Sequence, residues 1–267
     1  MELTGLNFKE EDFNKEQLFQ IELGLEKGLD VSIYADPKYN AEQMNEIRRG
    51  LQEGVDVSMY ADPRYDYTQM DRIREGIVYN SRPIDSFAFD YERPEELVHP
   101  IDISVYANPE CNAAQMESIF LGLKHGLDVS MYADYHKYDF LQMERIRSGL
   151  RQGVDVSVYA DPKYTDDQMM QMLIGLEEGL DVSAYANSKL EVEQMQEIRA
   201  GLENGVNVSW YADPKYSAEQ MRDIRYSLES GVDERKILGK INEIAAEKSV
   251  KQNNQVRYKA NMRKPKL

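Results

Sequence analysis

A single cysteine, Cys111, stands among the 267 residues. That excludes an intramolecular disulfide framework and fits a reducing, cytoplasmic setting. Long apolar runs are missing too. Nothing approaches the ~20 apolar residues a membrane helix needs, so no transmembrane span is expected. The opening MELTGLNFKEEDF has no basic stretch followed by an apolar core, and no secretory signal is expected there. Phosphate loops of the G-x-x-x-x-G-K-[ST] or G-x-G-x-x-G kind are absent, as is a D-x-D-x-D-G calcium loop. His99, His125, His136 and Cys111 share no paired spacing that would suit zinc. Neither metal nor cofactor is expected.

Basic charge is scarce everywhere except at one end. Net charge is −16, yet from Arg235 onward there are ten Lys/Arg against two Glu. The preceding residues hold 22 basic and 46 acidic side chains. An acidic body argues against non-specific contact with nucleic acid or an anionic membrane, whereas the basic tail could meet either locally.

What the sequence does have is a repeat. Units begin at Gln17, Gln43, Gln69, Gln115, Gln142, Gln168, Gln194 and Gln220, with spacings of 26, 26, 46, 27, 26, 26 and 26. The consensus is QMxxIRxGLxxGVDVSxYADPxYxxx; seven units are complete and the eighth stops after Asp233. A fixed period in the twenties signals a solenoid, in which each unit buries its apolar face on its neighbours.

Numbering offsets from the Gln as zero, each unit has a physical reading. Three residues before it stands Asn14, Asn40, Asp66, Asn112, Asp139, Thr165, Glu191 or Ser217, all but Glu191 good N-caps, so a capping box recurs. Apolar residues at +1, +4 and +8 predict an amphipathic helix of about three turns. Gly at +11 followed by Val or Leu predicts a Schellman ending. A second glycine at +7 costs up to ~1 kcal/mol within a helix, and its recurrence suggests close backbone contact between neighbouring helices. The second half, DVSxYADPxY, predicts a short helix capped by Asp and stopped by Pro. Alternation of Val57, Met59 and Ala61 leaves open a strand, and with it an α/β horseshoe.

The fold class expected is therefore all-α, a solenoid of tandem helix–short-helix repeats. Residues 1–13, with Leu3, Leu6, Phe8 and Phe13, form an N-terminal cap, and 14–233 the repeat array. Residues 81–100 are an insertion after Asn80, which stands where a left-handed Gly would end the helix. Residues 234–252, with Ile237, Ile241, Ile244 and Ala245 at helical spacing, form a C-terminal capping helix, and 253–267 a basic tail.

The string QMNEIRRGLQEGVDVSMYADPRY resembles a repeat of uncharacterised bacterial proteins, often from gut Firmicutes and their mobile elements. The resemblance covers residues 14 to about 233. It implies no particular chemistry; a mobile-element setting implies interaction with a host or defence component.

Ser at +15 and Tyr at +17 recur in every complete unit. An enzyme needs one constellation of nucleophile, base and orienting group, placed once. Many near-identical copies predict caps, turns and a Tyr stacked between units, its hydroxyl satisfied. Asp at +13 and +19 are likewise explained by caps and turns. Arg at +5 (Arg48, Arg74, Arg147, Arg199, Arg225) reads as a solvated or salt-bridged helix edge.

Function is expected where copies disagree. Offset +16 reads Ile33, Met59, Val105, Met131, Val158, Ala184 and Trp210, always apolar but never settled in size. Met59, Met131 and Trp210 are the leading candidates on this stripe, although packing between units is its plainer reading. Phe87, Phe89 and Tyr91 of the insertion are the other candidates, set against local docking onto the solenoid. The chain is thus expected to be a non-catalytic scaffold for a protein or peptide partner. An acidic mimic of nucleic acid, inhibiting a nucleic-acid-binding factor of host defence, is the alternative.

Overall fold

A computed structural model of the chain describes residues 9–81 and 100–232, together with positions 236, 237 and 239. The fold is all-α, a tandem helical repeat of the solenoid kind, and no strand occurs among the described residues. The horseshoe alternative is thereby set aside. The chain divides into two compact units, 1–153 and 154–267. In the first, α1 (Lys15–Glu26), α2 (Ala41–Glu53), α3 (Tyr67–Ser81), α4 (Ala113–Lys124) and α5 (Phe140–Gln152) pack consecutively. In the second, α6 (Asp166–Glu177), α7 (Val192–Glu203) and α8 (Ala218–Glu229) do the same.

The repeat glutamine explains the register. At the start of α2, Asn40 Oδ1 accepts the Gln43 N–H at 2.8 Å, and Gln43 Oε1 accepts the Asn40 N–H at 2.8 Å. Even at α7, where the cap is Glu191, its N–H donates to Gln194 Oε1 at 2.7 Å. The same side chain has a second task that the capping-box pattern does not reveal. Gln43 Nε2 donates to the carbonyls of Tyr65 (2.5 Å) and Pro63 (3.2 Å), in the turn leading to α3. Gln17, Gln69, Gln115, Gln168 and Gln194 reach the next turn in the same way. Each of these six helix starts is therefore tied to the turn that precedes the next helix, and these amides are buried.

Helix ends follow the Schellman expectation. Gly54 has φ +73°, its N–H donates to Leu51 O, and the Val55 N–H donates to Gly50 O, both at 3.1 Å. The next element is shorter than expected: a single 3-10 turn such as Val31–Ile33 or Val129–Met131, or a plain turn at 58–60. Only a few residues separate the Asp cap from the Ala-Asp-Pro break, too few to establish α-helical pairing. The Asp-Pro-x-Tyr segment then closes a β-turn, with the Tyr39 N–H on Asp36 O at 3.0 Å.

The core line also differs from expectation. Met44 and Ile47 at +1 and +4 are wholly buried, each contributing about 2–3 kcal/mol by transfer from water. Leu51 at +8 is only half-buried, and the third core column is instead Gly50 at +7. Nor does this glycine admit a neighbouring helix backbone. A Cβ built on Gly50 would lie 1.9 Å from Tyr60 Oη and 2.8 Å from Val57 Cγ1. The glycine makes a socket for the +17 tyrosine of its own repeat. Gly24, Gly122, Gly175 and Gly201 repeat the arrangement.

The insertion leaves α3 differently from the reading above. Asn80 is not left-handed; no residue other than glycine has positive φ among the described residues. The helix runs on to Ser81, and Asn80 instead grips the returning chain. Its Nδ2 donates to Ile101 O at 3.0 Å and its Oδ1 accepts the Ile101 N–H at 2.9 Å. In uninterrupted repeats the corresponding N–H goes to the +7 glycine carbonyl, as Val55 does. One side-chain amide thus replaces the Schellman closure and pins both ends of the excursion.

Of the proposed N-terminal cap, Glu10–Asp12 form a 3-10 turn and Phe13 is buried. Residues 1–8, the insertion with Phe87, Phe89 and Tyr91, most of the expected C-terminal helix and the basic tail lie outside the described residues.

Candidate functional site

The invariant polar columns are consumed in the joints. Asp30 Oδ1 accepts the Ser32 N–H at 3.1 Å and the Ser32 hydroxyl at 2.5 Å, and Asp155 holds Ser157 likewise. These hydroxyl and amide donors keep the Asp155 and Asp181 carboxyls below the usual carboxylate range. The +19 acids cap the Pro turn: Asp62 Oδ1 accepts the Arg64 N–H at 3.0 Å, and the Arg64 guanidinium pairs with the same carboxylate. Asp36, Asp161 and Asp213 pair with Lys38, Lys163 and Lys215 in the same way.

Tyrosine at +17 is wholly buried throughout, and Tyr106 meets Phe120 of the following helix edge-on, ring centroids 6.5 Å apart. The +17 side chain returns to its own helix, where Tyr34 Oη donates to Gln20 O at 3.0 Å and Tyr211 Oη to Glu197 O at 3.2 Å. Burial pushes the Tyr34 phenol up to about 12 and raises the others further. Tyr106, which follows the insertion, is the exception: its hydroxyl is buried with no partner among the described residues.

The +5 arginines are salt-bridged, but two of them are buried rather than solvated. Arg74 Nε donates to Glu46 Oε2 at 3.1 Å on the preceding helix, with Glu53 and Asp71 completing the cluster. Arg225 pairs with Glu197 at 2.9 Å and with Glu229 at 2.7 Å. Glu46 and Glu197 both stand at +3, as does Gln20, whose Oε1 accepts from Arg48 Nε, so in these three pairs a polar or acidic +3 meets Arg at +5 of the next repeat. A trace of this rule is visible in the sequence. Where +3 is itself arginine, at Arg72 and Arg145, the following +5 is Phe120 or Leu173.

The +16 row reaches the surface, and it is the partly exposed apolar column whose residue varies in size. In a three-residue 3-10 turn, +14 and +17 share a face and point inward, which leaves +15 and +16 outside. Ile33 and Met59 are 38% and 41% exposed, and Val105 and Met131 are half-exposed beside them in sequence order. In the second unit Val158, Ala184 and Trp210 hold the same position, all half-exposed. Trp210 turns its Nε1 inward, where that atom has no partner among the described residues.

A second surface escaped the repeat consensus. Phe19, Tyr67, Phe140 and Leu141 are all exposed, at offsets −2, −1 and +2. Those columns are polar or small in most repeats, and the consensus averages the exceptions away. The departures themselves were the signal. Phe19 and Tyr67 flank a groove of about 630 Å³ formed by α1, α2 and the start of α3. A smaller, mostly polar cavity of about 390 Å³ lies over α2–α4, bounded by the Arg74 cluster, Tyr79 and Phe120.

Among the described residues no three His, Cys, Asp or Glu side chains converge as metal ligands would, and no helix is long and apolar enough to cross a membrane. Cys111 occupies a +22 tyrosine position and is buried, which pushes its thiol up to about 12. No family model, curated protein or solved structure matches the chain.

Proposed function

We propose that the chain is a non-catalytic repeat scaffold, acting in the cytoplasm, that binds a protein or peptide partner along its surface. One observation carries this reading: the +16 row is the repeated apolar column that stays at the surface while its residue identity drifts. The side chains able to do chemistry, by contrast, are spent on caps, turns and inter-repeat pairs. Varied apolar side chains at regular intervals suit a partner read at several points, with a few anchors supplying most of the energy.

The charge pattern favours the scaffold over a nucleic-acid mimic. The +19 acids of four repeats are matched by a Lys or Arg two residues later, and Glu46 and Glu197 are enclosed by arginines. A mimic needs unbroken negative surface.

The test is site-specific photo-crosslinking in the native host, with the probe at Met59, at Met131 and, as control, at exposed Gln52. A common partner captured from Met59 and Met131 but not Gln52 is the expected result. Binding that collapses between low and moderate salt would instead indicate the mimic. Equal capture from all three positions would overturn the use of this row.

A further inference from the structure

We infer that the groove between α1 and α2 is a receptor for an arginine side chain on an extended peptide of a partner protein. This deepens the scaffold reading and rests on it, but it concerns a different surface from the +16 row.

The walls come first. Phe19 on α1 is 55% exposed and Tyr67, opening α3, is 48% exposed, although both have large apolar faces that folding normally hides. The α2 residue at Tyr67's offset is Ala41, which also lines the groove and is small enough to leave it open. The polar wall is already satisfied from within. Gln20 Oε1 accepts from Arg48 Nε at 3.0 Å, and Asn45 Oδ1 from the same guanidinium at 2.8 Å. Glu46, at the back, is neutralised by Arg49 and Arg74.

Two carboxylates remain. Glu16 and Glu42, in the first turns of α1 and α2, line the groove and are exposed. Neither has a cationic partner among the described residues. The favourable helix N-terminus gives each a structural reason to be acidic, but it leaves their outward oxygens unused. Lys15 on the same rim makes no ion pair with either, so the unpaired lining is net negative.

Exposed aromatic faces beside free carboxylates fit a flat cation better than a compact one. A guanidinium stacks on a ring while its edge N–H groups meet carboxylate oxygens, which a lysine ammonium cannot do together. The groove is also larger than one side chain fills, leaving room for apolar neighbours on the peptide. An acidic body favours the approach of such a basic segment.

The experiment uses the full chain and two fluorescein-labelled nonapeptides, identical except that a central Arg between leucines is replaced by citrulline, its neutral isostere. Anisotropy gives affinity and backbone-amide NMR shifts give location. At low salt the Arg peptide should bind about 10-fold tighter than the citrulline peptide, with shifts centred on Phe19, Ala41 and Tyr67. Combining Glu16→Gln with Glu42→Gln should erase that difference, while Phe19→Ser or Tyr67→Ser should weaken both peptides. These positions are exposed, and unchanged circular dichroism would confirm that the variants fold. Equal affinity for the two peptides, or shifts elsewhere on the chain, would overturn the assignment. An intact photo-crosslink at Met59 alongside such a failure would remove the groove and leave the scaffold reading standing.

Discussion

Substituting Gly50 by Ala puts two opposed effects on one atom. In an unobstructed helix interior, Gly→Ala stabilises by ~1 kcal/mol through backbone entropy. Here the added Cβ would meet Tyr60 Oη at 1.9 Å and Val57 Cγ1 at 2.8 Å, and neither neighbour is free to retreat. Tyr60 is 0% exposed and Val57 4%. Overpacking of this kind costs about 1–3 kcal/mol and sometimes more. The hydrogen bond from Tyr60 to Glu46 O is long, 3.4 Å, so its loss adds little. A net destabilisation of up to about 2 kcal/mol is expected once the propensity gain is subtracted. Tyr60→Phe removes the nearest atom and leaves Val57 Cγ1 at 2.8 Å and Cζ at 3.2 Å, so the clash is reduced but not abolished. The double variant should therefore cost less than the sum of the singles, with a coupling of roughly 0.5–2 kcal/mol. Because repeat arrays need not unfold in one step, urea melts should be paired with hydrogen exchange across α2. Gly54→Ala is the control: nothing lies within 4 Å of it, so its cost of roughly 1 kcal/mol is conformational, from φ +73° alone. An α2 more stable in the Gly50→Ala variant would refute the socket.

Four further outcomes are expected. Gln43→Leu should cost about 3 kcal/mol by orphaning the Asn40 N–H and the Tyr65 and Pro63 carbonyls. Faster hydrogen exchange should then reach the first turn of α3, and an effect confined to α2 would contradict the link between repeats. The buried +17 tyrosines favour the neutral phenol, so their folded pKa values lie above the unfolded value of 10.0. Their contribution is complete below that pH and is lost as pH rises through the folded values. Tyrosinate absorbance should grow together with loss of helix; early titration of these phenols in an intact fold would count against the burial. Cys111 should resist thiol reagents at pH 8 until the chain unfolds, and rapid stoichiometric labelling of native protein would contradict its burial. Deleting residues 168–193 joins Asp167 to Gln194 and preserves the Thr165-x-x-Gln capping pattern, so a folded, shorter array is expected. Global loss of helical dichroism would speak against neighbour-only contacts.

Helix starts and stops were legible because they are local. A cap three residues before Gln and a glycine at +11 act through their own backbone, and the structure places both where the pattern does. Offset +8 misled because a leucine column signals burial, while a glycine column carries no hydrophobic signal even when it borders the core. Asn80 misled for a related reason: tolerance of left-handed backbone is a property of the residue, but its amide found a partner 21 positions away. Phe19 and Tyr67 were hidden by averaging, since such residues are a minority in their columns.

By itself, the sequence determined the period, the starts and most of the stops of the long helices and the apolar character of the +16 row, and it favoured the all-α class while leaving a strand open in the DVSxYA segment. Tertiary structure alone decided the rest. It turned the +16 row outward, because a 3-10 turn too short for an α-helix holds its neighbours inward. It buried Arg74 against Glu46 and stretched Gln43 across to the next turn, because packing one repeat on another supplies partners that lie 22 to 28 residues away.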